Sequence, residues 1–281
     1  MAIPILKIWK NYYSNSDEGL GSSYERIILN LKIISVCRKY KISSLLEAPS
    51  FGFTGISGIN SVYLAKNGIS VDLVDHNKER LEYIDKTWKD LQLKVGVHYS
   101  EDYMKLDFTD NSFDLSWNFS ALWFTKNLET FLKELTRVTK KVIVLCVPNR
   151  AGIGYLSQKY SGKEDLKKYL KEEHIIPKNF IRFMRRLNWK LVENDFIDNP
   201  PWPDIGMPKE KFLKNIGLSF LVKEDVPREP LSILDFYKGL KPEFQDEMLK
   251  YYWLEKRAPR LLKRFWSHHR YYIFVPEEEV K

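Results

Sequence analysis

The chain has 281 residues, 44% hydrophobic and 29% charged, a balance that supports a sizeable core and excludes a disordered polymer. Its formal net charge of +8 permits an anionic partner without demanding one, because basic and acidic residues are interleaved. Two cysteines, Cys37 and Cys146, are too few for a disulfide framework or a metal finger, no run of about 18 apolar residues could span a membrane, and the opening seven residues are too short and too soon charged for a secretory signal.

In chain order, residues 1–42 read as a helical arm. Ser22 followed by Glu25 is a capping-box pattern that predicts a helix start near Ser22. Residues 43–198 alternate strand-like and helix-like segments. Strands are predicted over 43–48, 70–75, 95–99, 112–118, 142–147 and 189–197. Helices are predicted over 60–67, 78–91, 128–138 and 177–187. The nearly all-apolar run 142–147 has the character of a central parallel strand. Residues 199–268 break this rhythm with eight prolines and long helical patterns, such as 243–256, and read as an insertion before a final strand at 270–275. The fold class is therefore α/β, a doubly wound, mostly parallel sheet with a helical arm, a helical insertion acting as a lid, and a final strand within 269–281. Both cysteines lie in apolar periodic segments, which predicts buried thiols in a reducing, cytoplasmic setting.

In an open parallel sheet ligands bind beyond the carboxyl ends of the strands. The first strand ends in Glu47, followed by Pro49 and a loop holding Gly52, Gly55 and Gly58, where glycine lets backbone approach a ligand closely. The second ends in Asp75 and His76; an acid there suits two ribose hydroxyls, and an N-cap role is the competing use. Asp102 and Tyr103 follow the third strand, placed to meet an exocyclic amine and a ring nitrogen. Asn118 ends the fourth.

These stations, with the segment Leu64-Ala65-Lys66-Asn67-Gly68 and the turn-plus-strand Asn111 to Leu115, resemble a class I S-adenosylmethionine-dependent methyltransferase, most similar to the small-molecule and lipid branch. The resemblance covers residues 43–198 and the last strand. It implies a seven-stranded sheet with the last strand antiparallel and S-adenosylmethionine as cofactor. It places Glu47 and the loop at the methionine end, Asp75 at the ribose, Asp102 with Tyr103 at the adenine, and Asn118 beside the methyl group. One departure is plain: where the family has glycine at the second, fourth and sixth positions after the acid, this chain has Pro49, Phe51 and Phe53. A dinucleotide would need a compact phosphate-binding glycine motif that is not here, whereas the sulfonium cofactor has no phosphate.

The sulfonium already makes its methyl electrophilic, so the protein mainly aligns a nucleophile and excludes water. His174 is the candidate base if one is needed; His268 and His269 read as surface or packing residues. The acceptor pocket is expected from Tyr12, Tyr13 and Tyr24 of the arm, Trp123 and Asn149 after later strands, and Trp202 of the insertion. The acceptor is expected to be small or lipid-like, with no metal, and the basic, apolar faces around 167–171 and 257–265 allow peripheral contact with anionic lipid. Two other readings remain: a cofactor-free scaffold, and a nucleic-acid methyltransferase. The tetrapeptide Asn199-Pro200-Pro201-Trp202 matches one used to grip flipped bases, but it comes after the wrong strand, and nucleic acid is not the expected acceptor.

Overall fold

The computed structural model describes residues 3–14, 17–52, 55–160, 170–200 and 231–277. Trp202 and the basic pair Lys167 and Lys168 lie outside them.

The arm forms two helices, α1 (Ile3–Ser14) and α2 (Gly19–Lys39). The expected capping box at Ser22 does not operate. The helix starts at Gly19, and Ser22 and Glu25 are both buried interior positions. What sets α2 is burial: Tyr24, Ile27, Ile28, Leu29, Ile33 and Val36 pack into the core under one face of the sheet.

The sheet comprises β1 (Ser44–Glu47), β2 (Ser70–Asp75), β3 (Gly96–Tyr99), β4 (Phe113–Phe119), β5 (Thr139–Pro148), β6 (Trp189–Ile197) and β7 (His269–Pro276). Their order is β3-β2-β1-β4-β5-β7-β6. All pairings through β5 are parallel, and β7 runs antiparallel to both β5 and β6, so β6 points the same way as β5. Every residue of β4 is buried, as expected for a strand covered on both faces.

Between strands lie α3 (Val62–Lys66), α4 (Lys78–Asp90), α5 (Leu128–Val138), α6 (Ile153–Tyr160) and α7 (Pro177–Arg186). Asn77 and Asn127 cap α4 and α5 through their side chains. The described part of the insertion forms four short helices, α8 (Ile233–Tyr237), α9 (Phe244–Leu249), α10 (Trp253–Arg257) and α11 (Arg260–Trp266). The helical pattern over 243–256 is thus broken in two near Lys250. Two cores flank the sheet: one joins α2, α3, α4, α8 and α9, the other α5, α7 and the 3-10 turn Leu122–Phe124. Cys37 and Cys146 are free and buried. Among the described residues no helix is long and apolar enough to cross a membrane.

Candidate active site at the carboxyl edge of the sheet

Register brings the predicted stations to one edge. Glu47 pairs with Leu73 and Trp117, and Asp75 pairs with Tyr99, so the ends of β3, β2, β1 and β4 lie side by side. Backbone conformation marks the same edge. Tyr103, Ser120 and Asp198, each just past a strand, have φ of 60°, 49° and 67°, a region side chains rarely adopt.

Glu47 is fully buried and organises the loop. Asn60 Nδ2 donates to its Oε1 at 2.8 Å and Ser61 Oγ to its Oε2 at 2.6 Å. Burial pushes its pKa up to about 7 despite those bonds. The chain of contacts continues: Arg26 Nη1 donates to Asn60 Oδ1 at 2.6 Å, and Arg26 grips Glu18 through two bonds of 3.0 and 2.5 Å. Glu18 in turn accepts from the Ile56 amide at 2.8 Å. A carboxylate of the arm therefore occupies a loop N–H, and a Cβ on Gly55 would meet it at 2.5 Å. Gly52, at φ 136°, is pressed so closely on β4 that a Cβ there would lie 2.0 Å from the Phe119 carbonyl oxygen. Gly58, at φ 71°, is packed on Ile84. Pro49 leads into Ser50 and Phe51, both buried.

Asp75 is also fully buried, and its oxygens are taken. Arg80 donates to both, at 2.8 and 2.5 Å, Ser50 Oγ to Oδ2 at 3.1 Å, and the Asn77 amide to Oδ1 at 2.8 Å. The guanidinium of Arg80 lies over Phe51, 4.9 Å from its centroid, and against Trp9 of α1 at 5.7 Å. The acid is thus a bidentate ion pair with an arginine that no strand-end pattern pointed to.

Asp102 and Tyr103, expected at the adenine, line an open pocket of about 210 Å³ with Phe51, His76, Glu101, Phe124 and Lys126. Tyr103 Oη accepts from the His76 amide at 2.9 Å and lies 2.7 Å from His76 Nδ1. Burial lowers the His76 pKa, which favours the neutral ring. Asp102 Oδ1 accepts from Met104 N at 3.0 Å, and its Oδ2 lies 3.5 Å from Lys126 Nζ.

Asn118 closes the edge of β4. It is fully buried, yet neither its Nδ2 nor its Oδ1 has a partner among the described residues. A buried amide with both ends orphaned costs several kcal/mol at the order-of-magnitude level unless a ligand satisfies it. The orphaned Asn118, the close approach at Gly52 and the aromatic slot at Asp102 fit an adenosyl ligand. The saturated Asp75 fits it less directly: a ribose would share a carboxylate already held by Arg80 and Ser50.

The expected acceptor residues separate. Tyr13 Oη donates to the Ser57 carbonyl at 2.7 Å, laying α1 over the loop, and Tyr12 is half-buried beside it. Tyr24 is fully buried in the core. Trp123 is buried too, with Nε1 donating to the Ser120 carbonyl at 2.7 Å. Asn149 Nδ2 donates to the carbonyls of Arg264 and Ser267, both at 2.8 Å, tying the end of β5 to α11. His174 sits in the 3-10 turn Glu172–Ile175, with Nδ1 at 3.2 Å from both Thr125 Oγ1 and the Leu122 carbonyl. Its contacts hold that turn against the Leu122–Phe124 turn, and burial lowers its pKa. The described part of the proline tetrapeptide is structural: Asn199 bonds Glu255 and Ser267.

His268 and His269, read from the sequence as surface or packing residues, both lie against acids as well. His269 is 5% exposed. Its Nδ1 lies 2.6 Å from Glu25 Oε1 of α2 and 3.8 Å from Asp198 Oδ2, and its ring meets Phe119 at 4.4 Å. His268 Nδ1 lies 2.6 Å from Asp198 Oδ2. Burial, the largest single influence, lowers the His269 pKa, but Glu25 and Asp198 together more than offset it, so the net shift is upward. Burial and the Glu25 charge push the Asp198 carboxyl well above its ordinary range. Glu25, Asp198 and His269 thus form a buried acid–histidine cluster whose possible ligand atoms all lie within 4.8 Å of one another. The sequence signal that could have found it is Asp198-Asn199 after β6 facing His268-His269 before β7.

Residues 53–146, about a third of the chain, match the methyltransferase domain family. No curated protein matches the sequence. Among solved structures, the chain is similar to a candidate sarcosine dimethylglycine methyltransferase from Galdieria sulphuraria, with 13% identity and a TM-score of 0.52 over 88% of this chain and 85% of that one. It is also similar to a candidate methyltransferase from Bacillus halodurans C-125, with 15% identity and a TM-score of 0.50 over 88% and 96%. A third is the YcgJ protein of Bacillus subtilis, with 11% identity and a TM-score of 0.50 over 88% and 97%. At such identities these likenesses speak for the fold, and the domain match speaks for the chemistry. Together with the seven-stranded order, they identify a class I, Rossmann-like S-adenosylmethionine-dependent methyltransferase domain.

Proposed function

We propose that this enzyme transfers a methyl group to an oxygen or nitrogen of a small or lipid-like acceptor, at the carboxyl edge between β4 and β7. The observation that carries this reading is the orphaned, fully buried amide of Asn118. The cofactor supplies an electrophilic methyl when bound. Phe51, His76, Asp102 and Tyr103 would hold its adenine end, Glu47 with the chain around Gly55, Gly58, Asn60 and Ser61 would hold its methionine end, and Asn118 would sit beside the methyl group.

The remaining work is to align the acceptor and receive its proton. His269 is the proton acceptor in this proposal, in place of His174. Glu25 Oε1, 2.6 Å from Nδ1, stabilises the ring once it has taken up the proton, the part an acid plays in histidine–carboxylate pairs. The groups that meet His269 are Glu25 from α2 and Asp198 after β6, with the Phe119 ring of β4 against its imidazole. Because Glu25 raises the His269 pKa, the base is free only toward alkaline pH, so kcat/KM is expected to rise as pH climbs above 6.5.

The test is label transfer from methyl-labelled S-adenosylmethionine into fractionated extracts. Label in the small-molecule or lipid fraction supports the reading. Label confined to nucleic acid, or none despite cofactor binding, contradicts it.

A further inference from the structure

Beyond β5 lies a second concavity. Four arginines, Arg150, Arg260, Arg264 and Arg270, line a cleft of about 490 Å³ with Asn149 and Tyr272. It opens on the same carboxyl edge as the site above, because Pro148 ends β5, Phe196 nears the end of β6 and Arg270 begins β7. Among the described residues few acids lie close to these cations, although Arg150 feels the charge of Glu172. Among the described residues the one ion pair that any of them makes is Arg260 Nε with Asp195 Oδ1, at 3.9 Å. Arg260 and Arg270 otherwise share the neutral Asn194 Oδ1, at 3.4 and 3.2 Å. Moreover, Arg150 Nε, Arg270 Nε and the Tyr272 hydroxyl are all shut off from water with no partner among the described residues. Donors stripped of water and given no acceptor are costly, and a guanidinium fork matches the oxygens of a phosphate group.

We infer that this cleft binds a phosphate-type oxyanion carried by the methyl acceptor; the word acceptor rests on the methyltransferase reading. Register connects the two places. Asn118 pairs with Leu145, and Leu145 with Tyr272, so Asn118 and Tyr272 share a face two strands apart. Two strand spacings come to about 10 Å. A molecule anchored by phosphate beneath Tyr272 therefore presents its nucleophile near Asn118 over the length of a short organic skeleton. At the rim, α11 exposes Leu261 (68%), Leu262 (46%) and Phe265 (48%) beside Arg260 and Arg264, so the phosphate could belong to a lipid headgroup or to a soluble metabolite.

The experiment is calorimetric titration of the full chain with inorganic phosphate at constant ionic strength, with and without saturating S-adenosylhomocysteine. One phosphate site is expected, weakened at least tenfold in Arg264→Gln and in Arg270→Gln. Arg264 is exposed on α11, so its variant keeps the fold even if Arg270→Gln does not. Arg185→Gln, on the exposed last turn of α7 and outside the cleft, should bind phosphate as the parent does. No phosphate binding, or equal binding by both cleft variants, overturns the inference. Titrating S-adenosylhomocysteine into the same samples keeps the two ideas apart: its failure alone sinks the methyltransferase reading, and phosphate failure alone sinks the cleft. Co-sedimentation with phosphatidic acid vesicles then separates the sources. Binding that is lost in Arg264→Gln and displaced by phosphate assigns the oxyanion to a headgroup. No vesicle binding, with the phosphate site intact, assigns it to a soluble acceptor. Vesicle binding indifferent to both counts against the cleft.

Discussion

Asp75 shows how one carboxylate can be read two ways. Its place at the end of β2 was legible in the sequence, but its partner was not, because Arg80 sits five residues on, within α4, where a charge ordinarily reads as a solvated face. Both side chains are almost fully buried, so cutting one partner leaves the other charged without compensation. Asp75→Asn is expected to destabilise the fold by about 3–5 kcal/mol, measured by urea unfolding; a loss under 1 kcal/mol would mean that Arg80 finds another partner. His269 is the opposite case. Adjacent histidines before a strand look like packing residues, and only the fold brings Glu25 across from α2. If His269 is the base, His269→Gln lowers kcat roughly 100- to 10,000-fold, flattens the alkaline rise and leaves cofactor affinity unchanged. Retention of the pH profile in that variant would exclude the role.

At the scale of elements, strand positions were readable because apolar runs bounded by turns mark buried strands. β2, β6 and α5 fall where the pattern puts them. The arm was harder. The capping motif at Ser22 is buried in mid-helix, because tertiary burial of α2 outweighs a local cap. This changes what a truncation tests. Removing residues 1–25 would cut through α2 and delete the buried Tyr24 and Glu25, whereas removing residues 1–14 takes only α1. The shorter cut should leave the fold intact and speed binding of S-adenosylhomocysteine several-fold in stopped flow, because Tyr13 and Trp9 no longer cover the loop and Arg80. The loop itself departs from its family spacing, yet Gly52 still meets the requirement that matters physically: φ of 136° and no room for a Cβ. Gly52→Ala should cost roughly 1–3 kcal/mol by overpacking against the Phe119 carbonyl, seen as a lower Tm; an unchanged Tm would show that the β4 end yields easily.

For the whole molecule, buried titratable groups set a pH dependence. Glu47, Asp198 and His269 all titrate above their ordinary values in the folded chain. Such groups contribute stability that is complete below the unfolded pKa and is lost as pH rises through the folded one. Glu47 does this between 4.5 and about 7, and His269 above 6.5. Glu134 and Glu172, lowered by Arg137 and Lys159, contribute stability above 4.5 that disappears as the solution turns acidic. Thermal stability should therefore peak at roughly pH 5–6 and decline toward pH 8. Part of that decline should vanish in His269→Gln; a Tm still rising at pH 8 would contradict the assignment of these groups.

The most direct measurement is calorimetric titration of the intact chain with S-adenosylhomocysteine, repeated on Asp102→Ala and Asn118→Leu. A single site in the micromolar range, weakened at least tenfold by each change, is the expected result. Absence of binding in the parent chain, or affinity indifferent to both positions, would show that the cofactor does not lie along this edge of the sheet.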